Sequence, residues 1–165
     1  MLIDYGIPGK VQITMADYIK KILEEIPDDM EGEVASPAAN HLFEVNKDGE
    51  FLEKDRAELF HHFLAKLLFL SKRARPDILT AVAFLSTRVK QPDEDDYKKL
   101  ERLMKYLRAT VDLPLTLKSD GTGVINWWVD ASFAVHPDMR SHTGGMMSLG
   151  RGAVYSGSKL SLIHI

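Results

Sequence analysis

The sequence predicts an α+β fold with helices in the middle of the chain and strands at its end. Three observations predict it. A short alternating segment with a Gly/Pro turn opens the chain. Apolar residues then recur at helical spacing as far as Leu107. After Thr110 the period changes from 3.6 to 2.

Residues 2–5 and 10–14 flank Gly6-Ile7-Pro8-Gly9 and read as a β-hairpin. Thr14-Met15-Ala16-Asp17 has capping-box spacing and is expected to open a helix. Tyr18, Ile19, Ile22, Leu23 and Ile26 form its apolar stripe, and Pro27-Asp28-Asp29 stops it. Residues 28–54 are acidic, contain Gly32, Pro37 and Gly49, and have few periodic apolar positions. They read as a loop, partly ordered at best. A second helix is expected over residues 55–73, with Phe60, Phe63, Leu64, Leu67, Leu68 and Leu70 as a wide core face.

Arg75-Pro76-Asp77-Ile78 starts a third helix, proline being suited to a first turn whose N–H groups have no partner. Ile78, Val82, Leu85 and Val89 share its inner face. Pro92 followed by Asp93-Glu94-Asp95-Asp96 gives a stop and then an acidic helix start, which complements the dipole of a fourth helix. Tyr97, Leu100, Met104 and Leu107 point inward, while Lys98, Arg102 and Lys105 share another face. Four strands follow, over 113–118, 124–133, 143–149 and 153–158. Their turns are Asp120-Gly121-Thr122-Gly123, His136-Pro137-Asp138 and Gly150-Arg151-Gly152. The expected organisation is a hairpin over 1–14, a helical region over 15–110 containing the acidic loop 28–54, and strands over 111–165.

A chain of 165 residues, 45% apolar and 27% charged, suits one globular domain or slightly more. There is no cysteine, which excludes disulfides, thiolate-bound zinc and a thiol nucleophile. No 18-residue apolar run and no signal-peptide pattern occur, so an intracellular protein, cytoplasmic or nuclear and without a membrane partner, is expected. The net charge of −3 conceals a split: residues 1–60 carry 6 Lys/Arg against 14 Asp/Glu, and residues 61–108 carry 11 against 6. A basic middle suits a phosphate backbone; a solvated helical surface explains the same charge.

Three stretches carry a resemblance to a known family. They are Arg75-Pro76-Asp77-Ile78 with Ala81-Val82 and Leu85-Ser86; Met104-Lys105-Tyr106-Leu107-Arg108-Ala109-Thr110; and Val129-Asp130-Ala131-Ser132-Phe133-Ala134 with Arg140-Ser141-His142-Thr143-Gly144-Gly145 and Ser156-Gly157-Ser158-Lys159. In this order and spacing, from Met1 to about Lys159, the chain resembles the region after the polymerase active site in copia-type retrotransposon Pol polyproteins. The resemblance implies a palm-end hairpin, a helical thumb and connection, and an incomplete ribonuclease H-like antiparallel sheet. It places the first ribonuclease H carboxylate, a magnesium ligand in the intact family, at Asp130. It also implies that Arg73, Arg75, Lys98, Arg102, Lys105 and Arg108 track a nucleic-acid backbone, as a thumb does without reading bases.

The sequence departs from a working enzyme of that family. Its polymerases need adjacent palm aspartates holding two magnesium ions, and none precedes the hairpin. Asp28-Asp29 and Asp95-Asp96 lack flanking strand residues, and capping explains the second pair. After Lys159 the family continues into Ser-x-x-Glu-Ala-Glu, whereas this chain reads Leu160-Ser161-Leu162-Ile163-His164-Ile165. Asp130 therefore forms an incomplete, vestigial metal site. The expected function is that of a reverse transcriptase/ribonuclease H polyprotein fragment, inactive alone, binding no magnesium. Its partner would be an RNA–DNA or DNA duplex held weakly, or none. The alternative is a non-catalytic nucleic-acid- or protein-binding α+β module.

The remaining candidates have structural explanations. His61-His62 point to different helix faces, and His41, His136, His142 and His164 have no ligand spacing. Ser141 and Thr143 suit a phosphate or a strand start equally. One of Trp127 and Trp128 should be core, the other packed or stacked on a base. Gly144-Gly145 suggests a strand bend or a close backbone approach. A sheet lacking its covering helices should leave residues 124–165 poorly ordered or aggregation-prone.

Overall fold

Strands Leu2–Asp4 (β1) and Lys10–Thr14 (β2) pair antiparallel, with Leu2 opposite Thr14. The turn between them is held by Gly6 N–H donating to Asp4 Oδ1 at 2.8 Å and Lys10 N–H to the Ile7 carbonyl at 3.0 Å. These coordinates are a computed structural model that describes residues 1–136 and 139–160. The expected turn residues Pro137 and Asp138, the closing residues 161–165 and the side chain of Asp28 lie outside that description.

Helix α1 spans Ala16–Glu24, α2 Lys54–Ser71, α3 Leu79–Ser86 and α4 Glu94–Ala109. The expected capping box at Thr14 does not form. Thr14 is still paired within β2, so Met15 is the N-cap and supplies no side-chain bond. The box forms instead at α4, where the Asp93 carboxylate accepts from Asp96 N–H at 2.8 Å and the Asp96 carboxylate accepts from Asp93 N–H at 3.1 Å. A 3₁₀ turn, Pro76–Ile78, precedes α3, so the expected third helix starts as a tighter turn.

Phe60, Phe63, Leu64, Leu67 and Leu70 of α2 are buried with Ile78, Val82 and Leu85 and with Leu100, Met104 and Leu107 of α4. Each such side chain contributes on the order of 1.5–3 kcal/mol by leaving water. Leu68 is an exception: it lies beyond the edge of the stripe and is exposed.

The acidic segment after α1 differs from the expected loose loop. It starts with a 3₁₀ turn at Asp28–Met30, and it inserts Met30, Leu42 and Leu52 into the same core. Phe51 bridges Asp93, and the Phe43 ring meets Phe84 edge-on at 5.5 Å. Burial of these apolar side chains outweighs the low propensity of the segment for regular structure.

The strand-rich end divides between two antiparallel sheets. Leu115–Ser119 (β3) joins the N-terminal hairpin, with Ile13 opposite Leu115, and a short strand, Gly150–Arg151 (β6), adds to its far edge. That sheet has the order β1-β2-β3-β6. The pairing thus crosses the expected segment boundaries at 14 and 110. Gly152, at φ +80°, passes so close to β3 that a Cβ there would lie 2.1 Å from the Thr116 carbonyl oxygen. The second sheet comprises Asn126–Ser132 (β4), His142–Ser148 (β5) and Tyr155–Leu160 (β7), in the order β4-β5-β7. The chain is therefore α+β, with four helices and two antiparallel sheets among the described residues.

Candidate functional site

The second sheet meets the helical body at α3 through β7. Register places Asp130, Gly144 and Ser158 in one row across β4, β5 and β7, with their side-chain positions on the same face. Gly144 contributes no side chain, and an added Cβ would meet nothing nearer than the Asp130 carbonyl oxygen at 3.9 Å. The pair Gly144-Gly145 is thus neither a bend nor a close approach. Gly144 leaves open the floor of a cavity of about 730 Å³, lined by Trp128, Asp130, Met146 and Ser158 from the sheet and by Asp77 and Thr80 from the helical body.

Asp130 is exposed at this cavity, and its Oδ1 accepts from Ala131 N–H at 2.9 Å. The second carboxylate lining the cavity, Asp77, is engaged elsewhere. It takes Arg75 Nε at 3.0 Å and Nη2 at 2.7 Å, and the Tyr106 hydroxyl at 2.9 Å. Among the described residues no three histidine or acidic side chains converge on a point that could hold a metal ion. The two-magnesium arrangement implied by the family resemblance does not fit the carboxylates described here, one exposed and one held by Arg75.

The structure scatters the six predicted backbone-tracking cations. Arg75 is only 1% exposed and also donates to the Thr110 carbonyl at 2.8 Å and Thr110 Oγ1 at 2.7 Å. It joins the first two resemblance stretches, Arg75-Pro76-Asp77 and Tyr106 to Thr110, rather than facing a ligand. Arg102 Nη2 donates to Ser36 Oγ at 2.9 Å, Lys105 pairs with Glu101 at 2.5 Å, and Arg108 donates to the Met30 carbonyl at 3.1 Å. Lys98 and Arg73 are exposed, the Arg73 guanidinium lying 3.7 Å from the centre of the Phe69 ring. The acidic segment thus lies along the basic face of α4. Its backbone and hydroxyl oxygens, including the Glu44 carbonyl that accepts from Lys99, take several of the helix's donors.

Of the pair Asp95-Asp96, Asp96 serves helix capping as expected, its partner in the box being Asp93, whereas Asp95 pairs with Lys99 at 2.7 Å. Asp96 is buried, and Arg88 bridges it and Asp93 at 2.9 and 3.4 Å. Burial raises the Asp96 pKa despite the hydrogen bonds and the Arg88 charge that oppose it. Asp29 faces Tyr97, whose pKa is raised by burial first and by the Asp29 charge next. His61 and His62 are exposed on α2, His62 lying 3.3 Å from Glu25.

Both tryptophans are exposed, Trp127 by 58% and Trp128 by 50%, which corrects the expectation that one is core. β4 is an edge strand, and α3 covers the opposite edge of the sheet, so neither face of β4 is enclosed. Trp127 lies 5.9 Å from Tyr155 on the outer face. Trp127 and Val129 stand exposed on one face of β4, Trp128 is exposed on the other, and Phe133 is exposed just beyond the strand. Ser141 Oγ accepts from Ala134 N–H at 3.3 Å, and Thr143 lies within β5, opposite Ala131.

The histidine arrangement is a further departure from the sequence reading. His136 Nε2 is 3.0 Å from His142 Nδ1, and His142 Nε2 is 2.6 Å from Ser158 Oγ. Phe43 and Phe84 pack against the His136 ring. Only the six-residue spacing across a turn hinted at this pairing. Burial, then the neighbouring His136 charge, lowers the His142 pKa.

No family model matches the sequence, and no solved structure matches it. Over 156 residues the chain is 27% identical to a transposon Ty5-1 protein of Saccharomyces cerevisiae, covering 93% of this chain and 49% of that protein. It is 24% identical to the retrovirus-related Pol polyprotein from transposon TNT 1-94 of Nicotiana tabacum, covering 92% of this chain and 12% of the polyprotein. A third relative, secreted RxLR effector protein 161 of Plasmopara viticola, is 30% identical over 81 residues. The chain spans half or less of the length of the two transposon relatives, and its similarity to them supports origin in a retrotransposon polyprotein.

Proposed function

We propose that the chain corresponds to the reverse transcriptase–ribonuclease H part of a copia-type polyprotein and is catalytically inactive by itself. The observation that carries this reading is the placement of Asp130. It stands on a strand face at the mouth of the cavity of about 730 Å³, and the other carboxylate there is neutralised by Arg75. A single uncommitted carboxylate cannot hold two divalent ions in the geometry that phosphodiester hydrolysis requires. The purified chain should leave an RNA–DNA hybrid intact in magnesium or manganese. Metal-dependent cleavage abolished by Asp130→Asn would overturn the proposal.

A second reading is favoured by the exposed apolar side chains of β4, Trp127 and Val129 on one face and Trp128 on the other: a non-catalytic binding module. Salt separates its two forms. Binding of a duplex through Lys98 and Arg73 should weaken steeply as salt rises, whereas apolar association with a protein should not.

A further inference from the structure

Ser158, His142 and His136 stand in one hydrogen-bonded line. Ser158 Oγ lies 2.6 Å from His142 Nε2, and the other nitrogen of that ring, Nδ1, lies 3.0 Å from His136 Nε2. The strands dictate the first contact. Ser158 of β7 is opposite Gly144 of β5, so the hydroxyl and the His142 imidazole are diagonal neighbours on one sheet face. Packing fixes the far end of the line, where the Phe43 and Phe84 rings lie against His136. A hydroxyl within hydrogen-bond reach of an imidazole, itself oriented by a third group, is the arrangement that activates a serine. Burial keeps His142 neutral, the form that can take a proton.

The hydroxyl end of the line meets the cavity of about 730 Å³, which Ser158 lines. We propose that Ser158 is an activated nucleophile, with His142 as its base and His136 as a positioning residue, which accepts an acyl group from an uncharged phenyl ester in this cavity. The lining sets the ligand class. Leu79, Trp128 and Met146 supply apolar wall, and the exposed Asp130 carboxylate repels an anionic ester. A buried imidazole is a weak base, so the leaving group must be a good one, such as a phenolate. Ser158 Oγ bonds to the carbonyl carbon and its proton passes to His142 Nε2. The bond from that carbon to the phenolic oxygen breaks, and the phenolate takes the proton from His142. This is a single acylation, not turnover. It is separate from phosphodiester hydrolysis and does not depend on the polyprotein reading.

Ser156 is an internal control. It lines the same cavity from the same strand and is less buried than Ser158, but among the described residues no histidine bonds to it. Accessibility alone would make Ser156 react faster; activation makes Ser158 faster. The full chain is treated with 4-nitrophenyl acetate, and acetylated residues are mapped and timed by mass spectrometry. Ser158 should be acetylated about a hundredfold faster than Ser156. His142→Gln can still accept a hydrogen bond but not a proton, and should remove that advantage while leaving acetylation of the exposed Lys159 unchanged. His136→Leu should slow Ser158, and His136→Gln, which restores an acceptor for His142 Nδ1–H, should recover much of the rate. Nitrogen-15 NMR of the parent chain needs no variant: His142 should carry its proton on Nδ1, leaving Nε2 to accept from Ser158. Ser156 reacting as fast as Ser158, a proton on His142 Nε2, or an unchanged Ser158 rate in a folded His142→Gln chain overturns the proposal.

Discussion

Arg75 Nη2 donates to Thr110 Oγ1 at 2.7 Å across 35 positions of sequence. The contact closes the helical body, because the same guanidinium grips Asp77 before α3 and the C-cap residue of α4. Arg75→Ala would leave the partly exposed Asp77 carboxylate with only the Tyr106 hydroxyl and the Thr110 oxygens without their donor, and should cost about 1–3 kcal/mol. Arg75→Lys should recover little, since an ammonium cannot reproduce the planar fork that spans both groups. Denaturant midpoints of the two variants check this; full rescue by lysine would show that charge alone suffices.

Arg88 is the matching device at the start of α4. Asp93 and Asp96 are both 1% exposed, and Arg88 is the cation that reaches both carboxylates. Arg88→Ala should destabilise the fold by about 3–5 kcal/mol. Coupling Arg88→Ala with Asp96→Asn should recover part of that loss by removing one uncompensated charge. A double variant as unstable as the sum of the singles would refute the coupling.

His142 should make stability depend on pH. Its folded pKa lies below the ordinary 6.5, so as pH falls the unfolded chain takes up the proton first. The contribution is fully present above about pH 6.5 and is lost as pH drops below it towards the folded pKa. Between pH 8 and 5 the denaturant midpoint of the parent chain should fall further than that of His142→Asn. Parallel curves would show that the histidine pair does not carry the effect.

The exposed apolar side chains on both faces of β4 predict self-association. Replacing Trp127 and Trp128 by Ser together with Val129→Thr removes exposed apolar area from an edge strand and should reduce aggregation while leaving the helical core intact. Sedimentation and light scattering measure this. A parent chain that stays monomeric at high concentration, with slow amide exchange from Trp127 to Ser132, would contradict it.

Periodicity located the four helices among the described residues, because the stripes Ile19–Ile22, Phe60–Leu70, Val82–Leu85 and Leu100–Leu107 are local patterns that must bury one face. It also marked the hairpin and the strand-rich end, since period-2 alternation is equally local. The capping role of Asp96 was legible for the same reason, since a cap acts within three residues, but its partner Asp93 was read only as part of an acidic helix start.

Which element each segment meets was decided only in three dimensions. β3 pairs with the opening hairpin across about a hundred residues, Arg75 turns inward to Asp77 and Thr110, and His136 finds His142 and Ser158. The acidic segment is held against α4 although it lacks periodicity, because Met30, Leu42 and Leu52 reach the core and its oxygens take Arg102 and Arg108. Local pattern reports how a segment can bury a face of its own. Long-range pairing of charges, rings and strand edges depends on which surfaces the packed helices leave available, and that is a property of the tertiary structure.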